Sequence, residues 1–386
     1  MTPRLLLAVC AALALSTPVL ADDSGSFLVR LGDDTTSVES YTRSAAKLEV
    51  QQVGRSPRVL RRRFVYDLDK NGNVTRLSMV VTPPDNDTPT QTITGTLGGP
   101  DSARFTIENP GRPATKLSVK LPPDAVIVAS SSPWTGYEGA IQKLVKGKRD
   151  SVRTTIYFIG GDTGYWLSLQ RLGKDSIAVA NGHLDQFHAS IDKSGRILGV
   201  LPVAGTGKFS AQRMDRLDVA AYATAFAARE KAGVGLGMLS PRDSVKTTVA
   251  GASLYVDYGR PAKRGRTVYG GVVPYGEVWR TGANAATQFR TDRTLDFGGV
   301  KIPAGFYTLW TLPTAQGWKL IVNSQTGQWG TEHHPDRDFA TIDMTVDALP
   351  QPEERFTIRV ESAGDGGVIR LDWDTTRASA AFKVVP

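Results

Sequence analysis

The sequence predicts an all-β protein. An amino-terminal antiparallel curled sheet or open barrel, carrying one or two helices, is followed by a carboxy-terminal antiparallel β-sandwich. Three observations carry this expectation. From Phe27 to about Pro202 short runs such as FLVRL, KLEVQQV, TQTITGTL and ARFTIE alternate with period two, which sends every second side chain to one face. Gly, Asn, Asp and Pro separate the runs at hairpin spacing. From Ala252 the alternation resumes in SLYVDY, ATQFRT, GFYTLWTLP, WKLIVN and RFTIRVES, with no comparably long helical segment, as in a sandwich of roughly eight strands.

Taken in order, Arg4 precedes an apolar run from Leu5 to Leu15, then small residues up to Ala21 and the acidic pair Asp22-Asp23. That pattern is a secretory signal over residues 1–21, too short for a span, and it predicts a periplasmic or secreted protein. Cys10, the only cysteine, stands inside the apolar run instead of at its end, which argues against a lipid anchor. The mature chain then has no disulfide, thiol nucleophile or thiolate metal site.

Residues 22–203 read as the basic β domain, closed or half-closed so that no long edge stays bare. Tyr137 to Lys146 is expected to be a helix against it. Asp67-Leu-Asp69-Lys-Asn71-Gly72 opens like a calcium loop, but Ser78 stands where a bidentate Glu is needed, so a hairpin turn explains it better. Asp192 to Arg196 repeats that turn chemistry. In the triplet Arg61-Arg62-Arg63, Arg62 shares a strand face with Leu60, Phe64, Tyr66 and Leu68. It is expected to lie at the sheet rim and reach water, the alternative being a polar contact at the mouth of a cavity for an amphiphile. His183 and His188 fall on opposite faces of one strand and cannot ligate one metal without a bulge, so they read as surface or rim histidines.

Residues 204–250 read as helix and linker, with the helix over Leu217 to Ala232. The following GVGLG comes after a helix with the wrong glycine spacing for a phosphate loop. Residues 251–386 form the sandwich. The chain carries a formal +8, yet from Gly251 onward there are 15 basic and 15 acidic residues. The positive excess therefore lies in the first half, where it is either simply a solvated basic face or, on an exported surface, a contact for anionic lipid, lipopolysaccharide or cell-wall polymer rather than nucleic acid.

Between Val256 and Asp338 lies the densest collection of Gly, Pro, Arg, Trp and Asn. The motifs YGRP (258–261), RG (264–265), GGVVPYGEVWRTGAN (270–284), PAGFYTLWTLP (303–313) and QWGT (328–331) follow in order. At these residues the chain, from about 240 to 386, resembles the bacterial DUF2911 domain family. That resemblance brings no assigned activity.

Within the motifs the candidate ligand-binding residues are Tyr258, Arg260, Arg266, Trp279, Arg280, Asn284, Trp329, His333 and Asp336. Arg and Asn offer planar multi-donor contacts and Trp and Tyr flat apolar faces, a combination suited to sugars or carboxylates. The competing explanation makes Trp279 and Trp329 core anchors and Arg260 and Arg280 clamps on long loops. His333, Asp336, Asp338 and Glu277 fit no established metal pattern, and no GxSxG, HExxH or P-loop motif is present. The expectation is an exported, non-catalytic binding or envelope-associated protein using no cofactor, its partner a glycan, lipid or other anionic envelope component. The alternatives are an envelope hydrolase using carboxylates such as Glu277 and Asp336, or a purely structural module.

Overall fold

The computed structural model describes residues 23–98, 102–129, 133–182, 186–205 and 207–385. The expected signal, Cys10 and His183 lie outside the described residues.

In chain order the first half comprises β1 (Asp23–Leu31), β2 (Asp34–Arg43), β3 (Lys47–Gly54), β4 (Leu60–Leu68), β5 (Val74–Thr82), β6 (Gln91–Leu97), β7 (Ala103–Glu108), β8 (Thr115–Val119), β9 (Val126–Val128), helix α1 (Trp134–Lys146), β10 (Ser151–Phe158), β11 (Tyr165–Arg171), β12 (Ser176–Asn181), β13 (Gln186–Ile191), β14 (Ile197–Ala204) and β15 (Ser210–Met214). Helix α2 (Val219–Lys231) leads to β16 (Arg242–Val249), β17 (Ala252–Gly259), β18 (Thr287–Thr291), β19 (Leu295–Phe297), β20 (Val300–Ile302), β21 (Gly305–Pro313), β22 (Trp318–Asn323), β23 (Asp338–Ala363) and β24 (Gly366–Val384).

The first fifteen strands form one sheet, running from β8 through β1, β15 and β10 to β9. Its two edge strands, β8 and β9, are neighbours in sequence, so the sheet must curl until its ends approach. Stacking of Phe105 on β7 against Tyr157 on β10, with centroids 4.8 Å apart, shows that it does. Among the described residues β8 and β9 share no ladder, and the curl stays open.

One expectation needs correcting. The sheet is not wholly antiparallel, because β9 pairs with β10 in parallel. Two parallel neighbours need a crossover, and α1 supplies it by lying inside the curl. Ile141 and Leu144 are fully buried there, and Trp134 packs edge-on against Phe187 of β13. The stretch read as helix and linker also contains strands: β15 pairs with β1 and β14, and β16 with β17. Both are polar runs: β15 is held between its near neighbour β14 and the distant β1, and β16 pairs with β17 in a tight hairpin. Helix α2 begins at Asp218, whose carboxylate accepts from the amides of Ala220 and Ala221, an N-cap. It lays Val219, Ala223 and Phe226 over Val38, Val53 and Val59 on the outside of β2 and β3.

The remaining nine strands form a second sheet in the order β16-β17-β18-β21-β22-β23-β24-β19-β20. The 26-residue β23 pairs with β22 at its start and with β24 along the rest, so the sheet folds over a core that includes Leu254, Phe289, Leu309, Phe356 and Trp373. The RG motif reaches the first sheet. Arg264 pairs with Asp34, and its carbonyl accepts from the Asp33 amide at 3.1 Å.

Asp69 Oδ1 accepts the amides of Asn71 and Asn73, both at 2.8 Å, and Asp192 Oδ1 those of Ser194 and Arg196 at 2.9 and 3.0 Å. Both are the hairpin turns expected. Arg62 does not simply reach water. On the inner face it donates to Gln52 Oε1 at 3.1 Å, and burial lowers its affinity for its proton.

Candidate functional site

The signature loops gather around β21 and β22. Tyr307 and Leu309 face the core between the layers, whereas Thr308 and Trp310 point the other way, a face that would be solvated in a simple sandwich. Here it is covered, since Trp310 is 1% exposed and packs with Ala286 and Ile321. The cover is the segment from Ser324 to Arg337, which ends in a 3-10 turn over Pro335–Arg337.

Beneath this cover the polar groups are ordered. Asp338 Oδ1 accepts from His333 Nε2 at 2.9 Å and from Asn323 Nδ2 at 2.8 Å. The His333 ring lies tilted over Trp310, centroids 4.8 Å apart. Thr308 Oγ1 donates to the Gln325 carbonyl and lies 3.2 Å from Gln328 Oε1. Three buried atoms of this group, Trp310 Nε1, Gln328 Nε2 and Thr331 Oγ1, have no hydrogen-bond partner among the described residues. An unmet donor inside a protein costs roughly 1–3 kcal/mol, and these three lie on β21 and in the loop that covers it.

Four candidates named from sequence are committed to holding the fold. Tyr258 is 1% exposed, and its hydroxyl accepts from the Ile358 amide at 3.1 Å. Arg260 donates to Phe356 O and Thr357 Oγ1 at 3.2 and 3.0 Å and pairs with Asp243. Arg266 closes its own turn by donating to the carbonyls of Lys263 and Ala262 at 3.0 and 2.7 Å. Trp279 stacks on Trp373 with centroids 5.9 Å apart and donates Nε1–H to Gly282 O at 3.1 Å. A long loop between strands has many backbone groups to satisfy; Arg260, Arg266 and Trp279 satisfy carbonyls and Tyr258 an amide.

Arg280, Asn284 and Trp329 do come together. Gly330 donates its amide to Asn284 O at 3.0 Å, and Ala285 bridges to Trp329. A Cβ at Gly330 would stand 2.3 Å from both Arg280 Cδ and Asn284 O, which explains the glycine of QWGT. Trp329 remains 38% exposed. His333 belongs to the same loop, whereas Asp336 is exposed and pairs with Arg337 at 3.6 Å. Glu277 is exposed at the other end of β21, where the neighbouring Gly276 amide donates to Pro313 O at 2.8 Å. The buried members Trp310, Gln328 and Thr331 were not named from sequence. Alternation placed Trp310 opposite Leu309, but nothing showed that a loop would cover it.

The glycine of YGRP has a similar cause. A Cβ on Gly259 would lie 2.0 Å from the Ala283 carbonyl oxygen, so only glycine lets the GAN loop pass. Gly259→Ala is expected to lower stability by about 1–3 kcal/mol, seen as a lower urea midpoint at unchanged slope. An unchanged midpoint would show that the loop can step aside.

Fold and loops together define a mostly β protein of two sheets, with a covered polar face on the second. Residues 240–382 match the model of a family described as "Protein of unknown function (DUF2911)", the segment that holds β16 to β24 and every signature loop. Among solved structures the chain is similar to a DUF1089 family protein from Pseudomonas aeruginosa, 14% identical, covering 48% of this chain and 95% of that one at a TM-score of 0.32. It is also similar to a beta-barrel-like protein of domain of unknown function DUF1849 from Brucella abortus, 11% identical, covering 51% and 97% at a TM-score of 0.33. No curated protein matches the chain. Among the described residues no helix is long and apolar enough to cross a membrane.

Proposed function

We propose that this is an exported, two-domain, non-catalytic binding protein whose second domain takes a glycan of the cell envelope at the loop face of Arg280, Asn284, Trp329 and His333. The observation that carries this reading is that Trp329, 38% exposed, lies in the same loop cluster as Arg280 and Asn284. Sugars present apolar ring faces for an indole and hydroxyls for the planar donors of arginine and asparagine, so one ligand suits the combination. The hydrolase alternative is disfavoured because Glu277 and Asp336 are exposed at opposite ends of β21, whereas a hydrolytic carboxylate pair must flank a single bond.

The test is a titration of the mature protein with N-acetylglucosamine and galacturonate oligosaccharides, read by tryptophan fluorescence and by mass spectrometry of the sugar. Saturable quenching with the oligosaccharide recovered intact is expected, and Trp329→Ala should weaken it about tenfold or more without moving the thermal midpoint. Cleavage of the sugar would make the protein an enzyme. Absence of saturation with both probes, or binding indifferent to Trp329→Ala, would overturn the proposal.

A further inference from the structure

We infer a second binding site, on the outer face of β4 to β7, for a phosphate-class oxyanion carried by an envelope polymer or a lipid headgroup. The face holds a groove of about 380 Å³ lined by Asp67, Arg76, Thr94, Thr96, Arg104 and Thr106. Cross-strand pairing sets its order, since Asp67 faces Arg76, Arg76 faces Thr96 and Thr96 faces Arg104. Two strand spacings separate the arginines, about 10 Å between Cα atoms, and their side chains rise from the same face with Thr96 between them.

These arginines differ from the Arg61-Arg62-Arg63 triplet in having no partner among the described residues. Arg61 is held by Pro83 O, Asn86 O and Asp87, Arg62 by Gln52, and Arg63 by Glu49. Neither Arg76 nor Arg104 has an ion pair or hydrogen bond among the described residues, and both are exposed. Two like charges beside one another on a sheet repel, and each guanidinium presents a planar fork matched to phosphate oxygens. The threonine hydroxyls between them supply short donors to the same group. The site also lies in the half of the chain that carries the whole positive excess.

The mature chain should be titrated at low salt with glucose 6-phosphate, and separately with vesicles of phosphatidylcholine with and without phosphatidylglycerol. Saturable binding is expected, falling at least tenfold in Arg76→Gln/Arg104→Gln. In Asp67→Asn, which removes the one carboxylate of the groove, it should tighten a few-fold. Lys174→Gln/Arg216→Gln removes the same charge elsewhere and should bind as the parent does. Binding of the phosphosugar assigns the group to a polymer, and binding of the anionic vesicles alone assigns it to a lipid. If the groove variant binds like the parent, if the charge control loses as much as the groove variant, or if no probe binds, the site does not exist. None of these outcomes depends on Trp329, so this proposal and the glycan reading fail separately.

Discussion

Replacing Glu39 with glutamine should stabilise the protein by several kcal/mol at pH 8 and flatten a decline in stability that the parent shows between pH 4.5 and 8. Glu39 is wholly buried on the inner face of β2, under the start of α1, and neither carboxylate oxygen makes a hydrogen bond of normal geometry among the described residues. Burial first, and then the charge of Glu138 on α1, push its carboxyl up from 4.5 to about 8, against a smaller opposing pull from the Thr135 amide. Tyr66 and Tyr41 face the same space. Burial comes first in raising both phenols, with Glu39 the next cause for Tyr66 and Glu138 for Tyr41, so neither supplies a compensating charge.

The sign follows from proton counting. Below pH 4.5 both folded and unfolded chains hold the proton, and no penalty exists. Between 4.5 and 8 the unfolded chain has lost it while the folded chain keeps it, so stability falls by about 1.4 kcal/mol per pH unit and then levels off. Glutamine is neutral throughout and removes the slope. Urea midpoints at pH 5, 6.5 and 8 would check this, and parallel curves for parent and variant would mean that Glu39 is hydrated. Glu138→Gln should act in the opposite direction. That carboxylate accepts from Tyr41, from the Ile197 amide at 2.8 Å and from Arg213, and its loss leaves Arg213 without its ion pair.

Why these groups escaped sequence reasoning is instructive. Alternation shows which face a residue takes, so it placed Phe64 and Tyr66 inward and read most strands of both sheets. It does not show what stands opposite. Glu138 and Arg213 are 75 residues apart and Arg264 and Asp34 are 230 apart, and only the curl and the docking of the two sheets bring them together. The missed strands have local causes: β9 is only three residues long, and β14 contains Pro202, which usually marks a break. The motifs were legible as motifs, and their glycines as places of close approach. Whether an arginine in them faces a ligand or a carbonyl depends on the path of the neighbouring loop, and here Arg260 and Arg266 donate to backbone carbonyls while Trp329 is exposed.

The second large effect is expected at Asp372, and the informative result is an order of severity. Asp372 is wholly buried, accepting two bonds from Arg377 at 2.7 Å and one from Arg359, which also pairs with Glu353 at 2.6 Å. The cluster lies where the ladder between β23 and β24 slips, between Ala348 and Glu353 and again between Glu353 and Thr357. Within the slip the ladder thins to the Glu353–Asp374 pair and an isolated bridge from Arg355 to Ala262, so the ion pairs add to what holds the bend. Asp372→Ala should cost roughly 3 kcal/mol, tempered because both arginines are partly exposed and can turn to water. Arg359→Gln/Arg377→Gln should cost more, because it strands a buried carboxylate that cannot reach solvent. Denaturation of the three proteins at one pH decides the matter. If the arginine variant proves the milder, water already reaches Asp372 and the bend is held instead by Trp373, whose Nε1–H donates to Glu354 O at 3.2 Å.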